Sequence, residues 1–279
     1  MKYTIRPMVF LLLILSLIPF LILLSGSFMT DSELLKIIEP IKSQTGDFVS
    51  WHFLPVYPTV ESLKKMCIDT PEYYKLFWNS ILIEVLALIG QLFILSFATW
   101  GLTRIRNDKA RYSIMIMYLV AAVIPFQVLM LSWYMIIYKM GLMDSVAGIV
   151  IPTCFSPIYI FLMYNSFKRV PDSVVDAARL DGASSLRIFF FIVFPMVRDS
   201  VIAALILAFF EIWNMIELPG LMLSSKTKWP LSLYLPSLEG NDPGFAFAFS
   251  IFNILPVFII FICGINYLMN GINLFEEES

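Results

Sequence analysis

Residues 176–195 read DAARLDGASSLRIFFFIVFP, four charges, two adjacent alanines and a glycine set just ahead of an aromatic run. The rest of the 279-residue chain is mostly apolar: hydrophobic residues make up 59%, with 25 Phe and 15 Met, and only 14% are charged. Soluble domains run at roughly half apolar and a quarter charged, so the solvent for most of this chain is a bilayer. The mean hydropathy of +0.82 agrees. A compact polar patch in such a chain has to sit outside the lipid, and its surroundings decide where.

Apolar blocks long enough to cross about 30 Å at about 1.5 Å per residue mark those surroundings. One begins at Met8, and others run near Ser80–Gly101, Tyr112–Ile137, Val146–Tyr164, Ser200–Glu217 and Phe245–Leu268. They predict an all-α membrane protein with six transmembrane helices. The first block follows Lys2 and Arg6, a signal-peptide pattern with Ser25-Gly26-Ser27 as the cleavage site, but its length favours a retained helix. Ile188–Val197 is short and runs into Arg198-Asp199, and burying that pair would cost about 2.5–3.5 kcal/mol per charge. It is predicted to be an interfacial or re-entrant piece, its phenylalanines at the lipid boundary, with the fifth crossing starting after Arg198.

A cytoplasmic N-terminus places Arg6, Arg104, Arg106, Arg111, Arg169, Arg179, Arg187 and Arg198 all inside, as the positive-inside rule demands. Six crossings then bring the C-terminus inside too. The chain divides accordingly into a first helix and extracytoplasmic loop (1–76), a core (77–273) with a cytoplasmic loop at about 168–196, and an acidic tail (274–279). The expected location is the cytoplasmic (inner) membrane, in contact with lipid.

The net charge of −2 excludes nucleic acid as an expected partner. Cys67, Cys154 and Cys263 lack metal-ligand or CxxC spacing, and His52 is the sole histidine, so no metal site is expected.

Within the patch, Val170-Pro171 introduces a helix whose first turn carries Asp172, with Asp176 near the same positive end. Gly182 can end it in the left-handed conformation, and Ser184 or Ser185 can cap the next helix. Ala177 and Ala178 leave a smooth face that another protein surface could approach. An amphipathic loop resting on headgroups is the alternative.

The patch resembles the signature of the integral membrane permease subunits of binding-protein-dependent ABC importers: Glu-Ala-Ala, three residues, Gly, nine residues, Ile-x-Leu-Pro. Asp176-Ala177-Ala178, Gly182 and Ile192-Val193-Phe194-Pro195 keep that spacing, with Asp176 in place of Glu and Phe194 in place of Leu. Asn79-Ser80, Pro125, Gly141-Leu142-Met143-Asp144-Ser145, Val170-Pro171, Asp181-Gly182-Ala183-Ser184 and Trp213-Asn214 are similar to the maltose-type carbohydrate branch. The tail, GINLFEEES, departs from it.

The resemblance implies the type I ABC importer permease fold and an ATP-driven importer of sugar or oligosaccharide. In such an importer this chain forms half of the pore beside a homologous second permease, with two cytosolic ATPase subunits and an extracytoplasmic binding protein. The ATPase-coupling residues are then Asp176, Ala177, Ala178, Arg179, Asp181, Gly182, Ala183 and Ser184. No G-x-x-x-x-G-K-[ST] loop and no Gly-Lys pair occur in the chain, so ATP and Mg belong to the partner ATPase and the chain is expected to be neither an enzyme nor a cofactor carrier. Switching a pore from 1:99 to 99:1 takes about 5.5 kcal/mol of differential binding, to be delivered through this patch.

Polar residues in or near the crossings are Glu84, Gln91, Gln127, Glu211, Asn214, Asn253 and Asn266. Each serves interhelical hydrogen bonding or solute contact. Gln127, Gln91, Glu211 and Asn214 are the substrate-pathway candidates; Glu84 and Glu211 are read as lying near helix ends, within reach of headgroups. In the outer loop Glu217–Gly244, Trp229 and Tyr234 are candidates for binding-protein contact or for an interfacial aromatic belt. A secondary transporter would show interior ion-coupling residues and a repeat between halves, which do not stand out. A permease for a non-sugar solute is the other alternative.

Overall fold

The computed structural model describes residues 2–43, 48, 52–235 and 242–276, and among these there is helix and no strand. In chain order the principal helices are α1 (Lys2–Ser27), α2 (Asp31–Ser43), α3 (Glu72–Thr103), α4 (Asp108–Val123), α5 (Phe126–Lys139), α6 (Val146–Thr153), α7 (Pro157–Lys168) and α8 (Asp172–Leu180). They are followed by α9 (Ser185–Trp213), α10 (Glu217–Met222) and α11 (Pro243–Glu276). Four described helices are long and apolar enough to cross a membrane, and the number is up to six if each of the bent pairs α4–α5 and α6–α7 is one span.

Both bends follow from proline. The α4–α5 axis turns by 94° at Ile124-Pro125; a residue before proline is pushed out of the helical region, and Ile124 sits at φ −65°, ψ 119°. The α6–α7 axis turns by 43° ahead of Pro157. Gln91 on α3 donates through Nε2 to the Thr153 carbonyl at that break, at 2.7 Å. A carbonyl released from a helix inside the membrane has to find such a partner.

Two compact units are present. The first comprises Met1–Phe77 and Leu231–Pro256. Its core joins Met29, Leu34, Ile37 and Phe247. Gly26 meets Phe247 so closely that a Cβ would lie 2.6 Å from the ring, and Ser27 is fully buried, so the Ser25–Ser27 stretch is a packed helix end. Tyr73 and Tyr234 both stand against Phe249, and Lys65 pairs with Asp242. His52 lines a surface cleft with Glu33 and Tyr57.

The second unit, Trp78–Pro230 with Val257–Ser279, holds the larger core. On α3, Ile83, Ala87, Gln91, Leu95 and Leu102 form the buried stripe, spaced four or seven residues apart as one helix face requires. On α9 the stripe is Phe189, Val193, Val197, Val201, Ala204, Ala208 and Ile212.

The aromatic run is not a piece separate from the fifth long helix. Residues 185–213 form one continuous helix, with a π-turn at Phe189–Val193 that keeps the four-residue stripe facing inward. Phe189 is 1% exposed and stacks on Phe97 with centroids 4.3 Å apart; Phe190 and Phe191 face outward. The charges that argued for a late start lie within this helix. Arg198 and Asp199 pair at 3.3 Å and line a polar cleft with Ser166, Ser200 and Asn270.

Candidate functional site

At one end of the second unit α8 and the start of α9 form an elbow. Pro171 takes the N-cap position of α8, and Arg104 at the end of α3 pairs with Asp172 and donates to the Val170 carbonyl at 3.4 Å. The other end of α8 closes in a Schellman motif: Gly182 N–H donates to the Arg179 carbonyl at 3.0 Å and Ala183 N–H to the Ala178 carbonyl at 3.0 Å. Gly182 sits at φ +81°, and a Cβ on it would meet nothing within 4 Å, so the demand for glycine is conformational and not steric. Ser184 Oγ then accepts from Arg187 N–H at 3.4 Å and starts α9.

The coupling candidates divide by face. Asp176, Ala177, Arg179, Asp181, Gly182 and Ser184 are exposed, and Ala183 is half-buried. Ala178 faces the core beside Val175, so the smooth outward face belongs to Ala177 alone. Asp176 and Arg179 pair across one turn at 3.0 Å. Leu180 is 90% exposed, an apolar side chain at the tip of a polar elbow. Behind this surface Phe189 joins Phe97 and Trp100 of α3, fastening the elbow to the long helices.

The membrane-embedded polar residues are dispersed. Gln91 is 2% exposed and serves the α6–α7 break, the interhelical role. Gln127 is exposed and donates to Glu217 Oε1 at 2.6 Å. Glu211 is exposed and accepts from Tyr159 Oη at 2.6 Å, a partner the sequence did not suggest. Asn214 caps the end of α9 by donating to the Phe210 carbonyl at 2.9 Å. Glu84 corrects the sequence reading. It lies about three turns inside α3, 3% exposed, and borders a small cavity with Ser80, Trp213 and Pro219. A glutamate inside a long apolar block was the available signal.

Trp229 is in the second unit, where Asn79 Nδ2 donates to its carbonyl at 3.1 Å; Tyr234 is in the first, against Phe249. No group of three or more metal-ligating side chains occurs among the described residues.

Residues 92–268 match the family described as binding-protein-dependent transport system inner membrane component. The chain belongs to this family. It is a multi-pass inner-membrane permease subunit of an ABC importer. The arabinooligosaccharides transport system permease protein AraQ of Bacillus subtilis is 30% identical over 94% of this chain and 90% of its own length. The multiple sugar-binding transport system permease protein MsmG of Streptococcus mutans is 29% identical over 82% of this chain and 85% of its own. A bacterial ABC transporter involved in the import of the acidic polysaccharide alginate shares the fold with TM-score 0.77 at 18% identity, covering 95% of each chain. A bacterial alginate ABC transporter in complex with an alginate pentasaccharide-bound periplasmic protein aligns at TM-score 0.57 and 12% identity over 94% of each chain. The expected fold, membrane location and transport class are those the comparisons give.

Proposed function

We propose that this permease forms half of the pore of an oligosaccharide importer and takes its driving force from a cytosolic ATPase through the Asp172–Arg187 elbow. The observation that carries the proposal is the elbow itself. An outward face of Asp176, Ala177, Arg179, Asp181 and Leu180 stands on a helix capped at Gly182 and fastened to α3 and α9 through Phe189. A surface clasped by a closing ATPase would move these helices as a body, the hinge-and-shear type of switching. Nucleotide and Mg sit on the ATPase, hydrolysis is the partner's, and a second permease completes the pore. Both chain termini lie in the cytoplasm on the same side as the elbow.

Sugar as the solute class is supported by relatives whose names specify arabinooligosaccharides and multiple sugars. The Tyr159–Glu211 and Gln127–Glu217 pairs, with Asn214, offer carboxylate and amide groups suited to sugar hydroxyls. An extracytoplasmic binding protein delivers the solute. The test is a crosslink: an Ala177→Cys variant lacking the three native cysteines joins to the ATPase in the assembled complex. An intact, ATP-hydrolysing complex that gives no such product overturns the coupling assignment.

A further inference from the structure

Glu84 takes no part in the elbow, and none of the side-chain pairs described above accounts for it. It is 3% exposed, and its Oε1 is buried with no hydrogen-bond partner among the described residues. Ser80, one turn earlier, shares its face of α3. Facing the two are Ile212 and Trp213 at the end of α9, Met215 in the turn that follows, Pro219 of α10, and Pro230. The space they enclose is about 10 Å³, enough for a single water.

These surroundings offer a carboxylate little. Pro219 and Pro230 have no backbone N–H to donate. Ile212 and Trp213 belong to the last turn of α9, the negative end of the helix dipole. No Lys, Arg or His is among the described residues of the lining. The lysines just before Pro230 are engaged elsewhere: Lys228 pairs with Asp144 at 2.8 Å, and Lys226 Nζ lies 5.6 Å from the Trp229 ring centroid. Nor do the titratable groups on the neighbouring elements bring positive charge. Glu211 on α9 accepts from Tyr159 Oη of α7, and Glu217 on α10 accepts from Gln127 Nε2 of α5, each at 2.6 Å. A buried charge without a counter-charge is costly, so whatever completes this site has to be positive and no larger than a water.

We propose that Glu84 is a binding site for one small cation, a proton or a sodium-sized ion, enclosed between α3 and the α9–α10 junction. A metal ion draws on several oxygen ligands, whereas the lining supplies side-chain oxygens from Glu84 and Ser80 alone, which favours the proton. The site exists while α3 and the junction are packed together. Separating them would hydrate Glu84 and release the cation, so occupancy and packing reinforce each other. Nothing in this depends on the elbow, and the Ala177→Cys crosslink is decided separately.

The test is infrared spectroscopy on the complete importer in nanodiscs near neutral pH. The difference spectrum, parent minus Glu84→Gln, is expected to contain the carbonyl stretch of a carboxylic acid, a signal of the bound proton that a merely structural Glu84 would not give. With sodium as the occupant, the same spectrum shows carboxylate bands instead. Replacing choline by saturating sodium at constant ionic strength then raises the thermal midpoint by about 5 °C in the parent and leaves Glu84→Gln unmoved. Should Glu84→Gln fail to assemble, Glu84→Leu stands in, because an apolar side chain of similar volume removes the charge without leaving a polar group unpaired. Carboxylate bands together with a midpoint that ignores sodium overturn the site.

Discussion

The two ends of the second unit handle polarity in opposite ways. At the elbow, Asp176, Arg179 and Asp181 are exposed, their single ion pair spans one turn of one helix, and Leu180 beside them is almost fully uncovered. At the far end, Asp144 and Asn79 spend their hydrogen bonds on a neighbouring segment of the same chain. Surface ion pairs within a helix contribute about 0.3–0.5 kcal/mol, whereas a carboxylate accepting several charge-assisted bonds fixes geometry. One end therefore leaves its binding capacity for another molecule, and the other has already used it to shape a loop.

The sharpest way to break this contrast is at Gly182. Gly182→Val forces a branched side chain into the left-handed region and should lower uptake in proteoliposomes on the order of 100-fold, because a misplaced lever loses alignment. Gly182→Asn, which tolerates that region, should keep most of the uptake, and equal losses in the two variants would show that the cap conformation is not what matters. Next in size is Phe189→Ala, which empties a buried ring site between α3 and α9 and should cost about 3–5 kcal/mol of stability, read as a fall in thermal midpoint in detergent. Gly90→Val should cost about 1–3 kcal/mol by the same measurement, since a Cβ there overlaps Cys154 Sγ.

The smallest expected effects bear on charge. Arg179→Ala removes an exposed pair and should change stability by about 0.5 kcal/mol or less while reducing ATPase-coupled uptake, so an unaltered uptake would return the elbow to an ordinary solvated surface. The Lys228 ammonium, then the Ser225 amide and hydroxyl, hold the Asp144 carboxyl well below the usual carboxylate range. A depressed folded value means the stabilisation is complete above the unfolded value and is lost as pH falls through the folded one. The thermal-midpoint difference between the parent and Asp144→Asn should thus be flat from about pH 8 to about pH 5 and shrink only below that. A difference that fades near neutrality would contradict this hydrogen bonding.

Much of this was legible in the residues. Apolar blocks located the spans because lipid leaves the backbone no partner outside its own helix. Gly182 and Ser184 announced both caps because each acts through its own backbone neighbourhood. Ile188–Val197 was separated from the helix that follows because a charge pair inside an apolar run looks like a boundary, whereas the helix runs through Arg198 and Asp199 unbroken. Glu84 was misplaced for a related reason: composition shows that a carboxyl is present but not how deep in its helix it lies.

The sequence by itself determined that this is a helical membrane protein, where the elbow is capped, and that a permease-like patch interrupts the oil. These follow from period, length and local backbone chemistry, none of which needs a partner from elsewhere in the chain. Only the tertiary structure decided that Ala178 faces inward, that Phe189 anchors the elbow on α3, that Tyr159 reaches Glu211, and that Asp144 and Asn79 meet the same loop. Those contacts join residues 52 to 150 positions apart or depend on which helix lies behind a face, and no local pattern encodes which surfaces will meet.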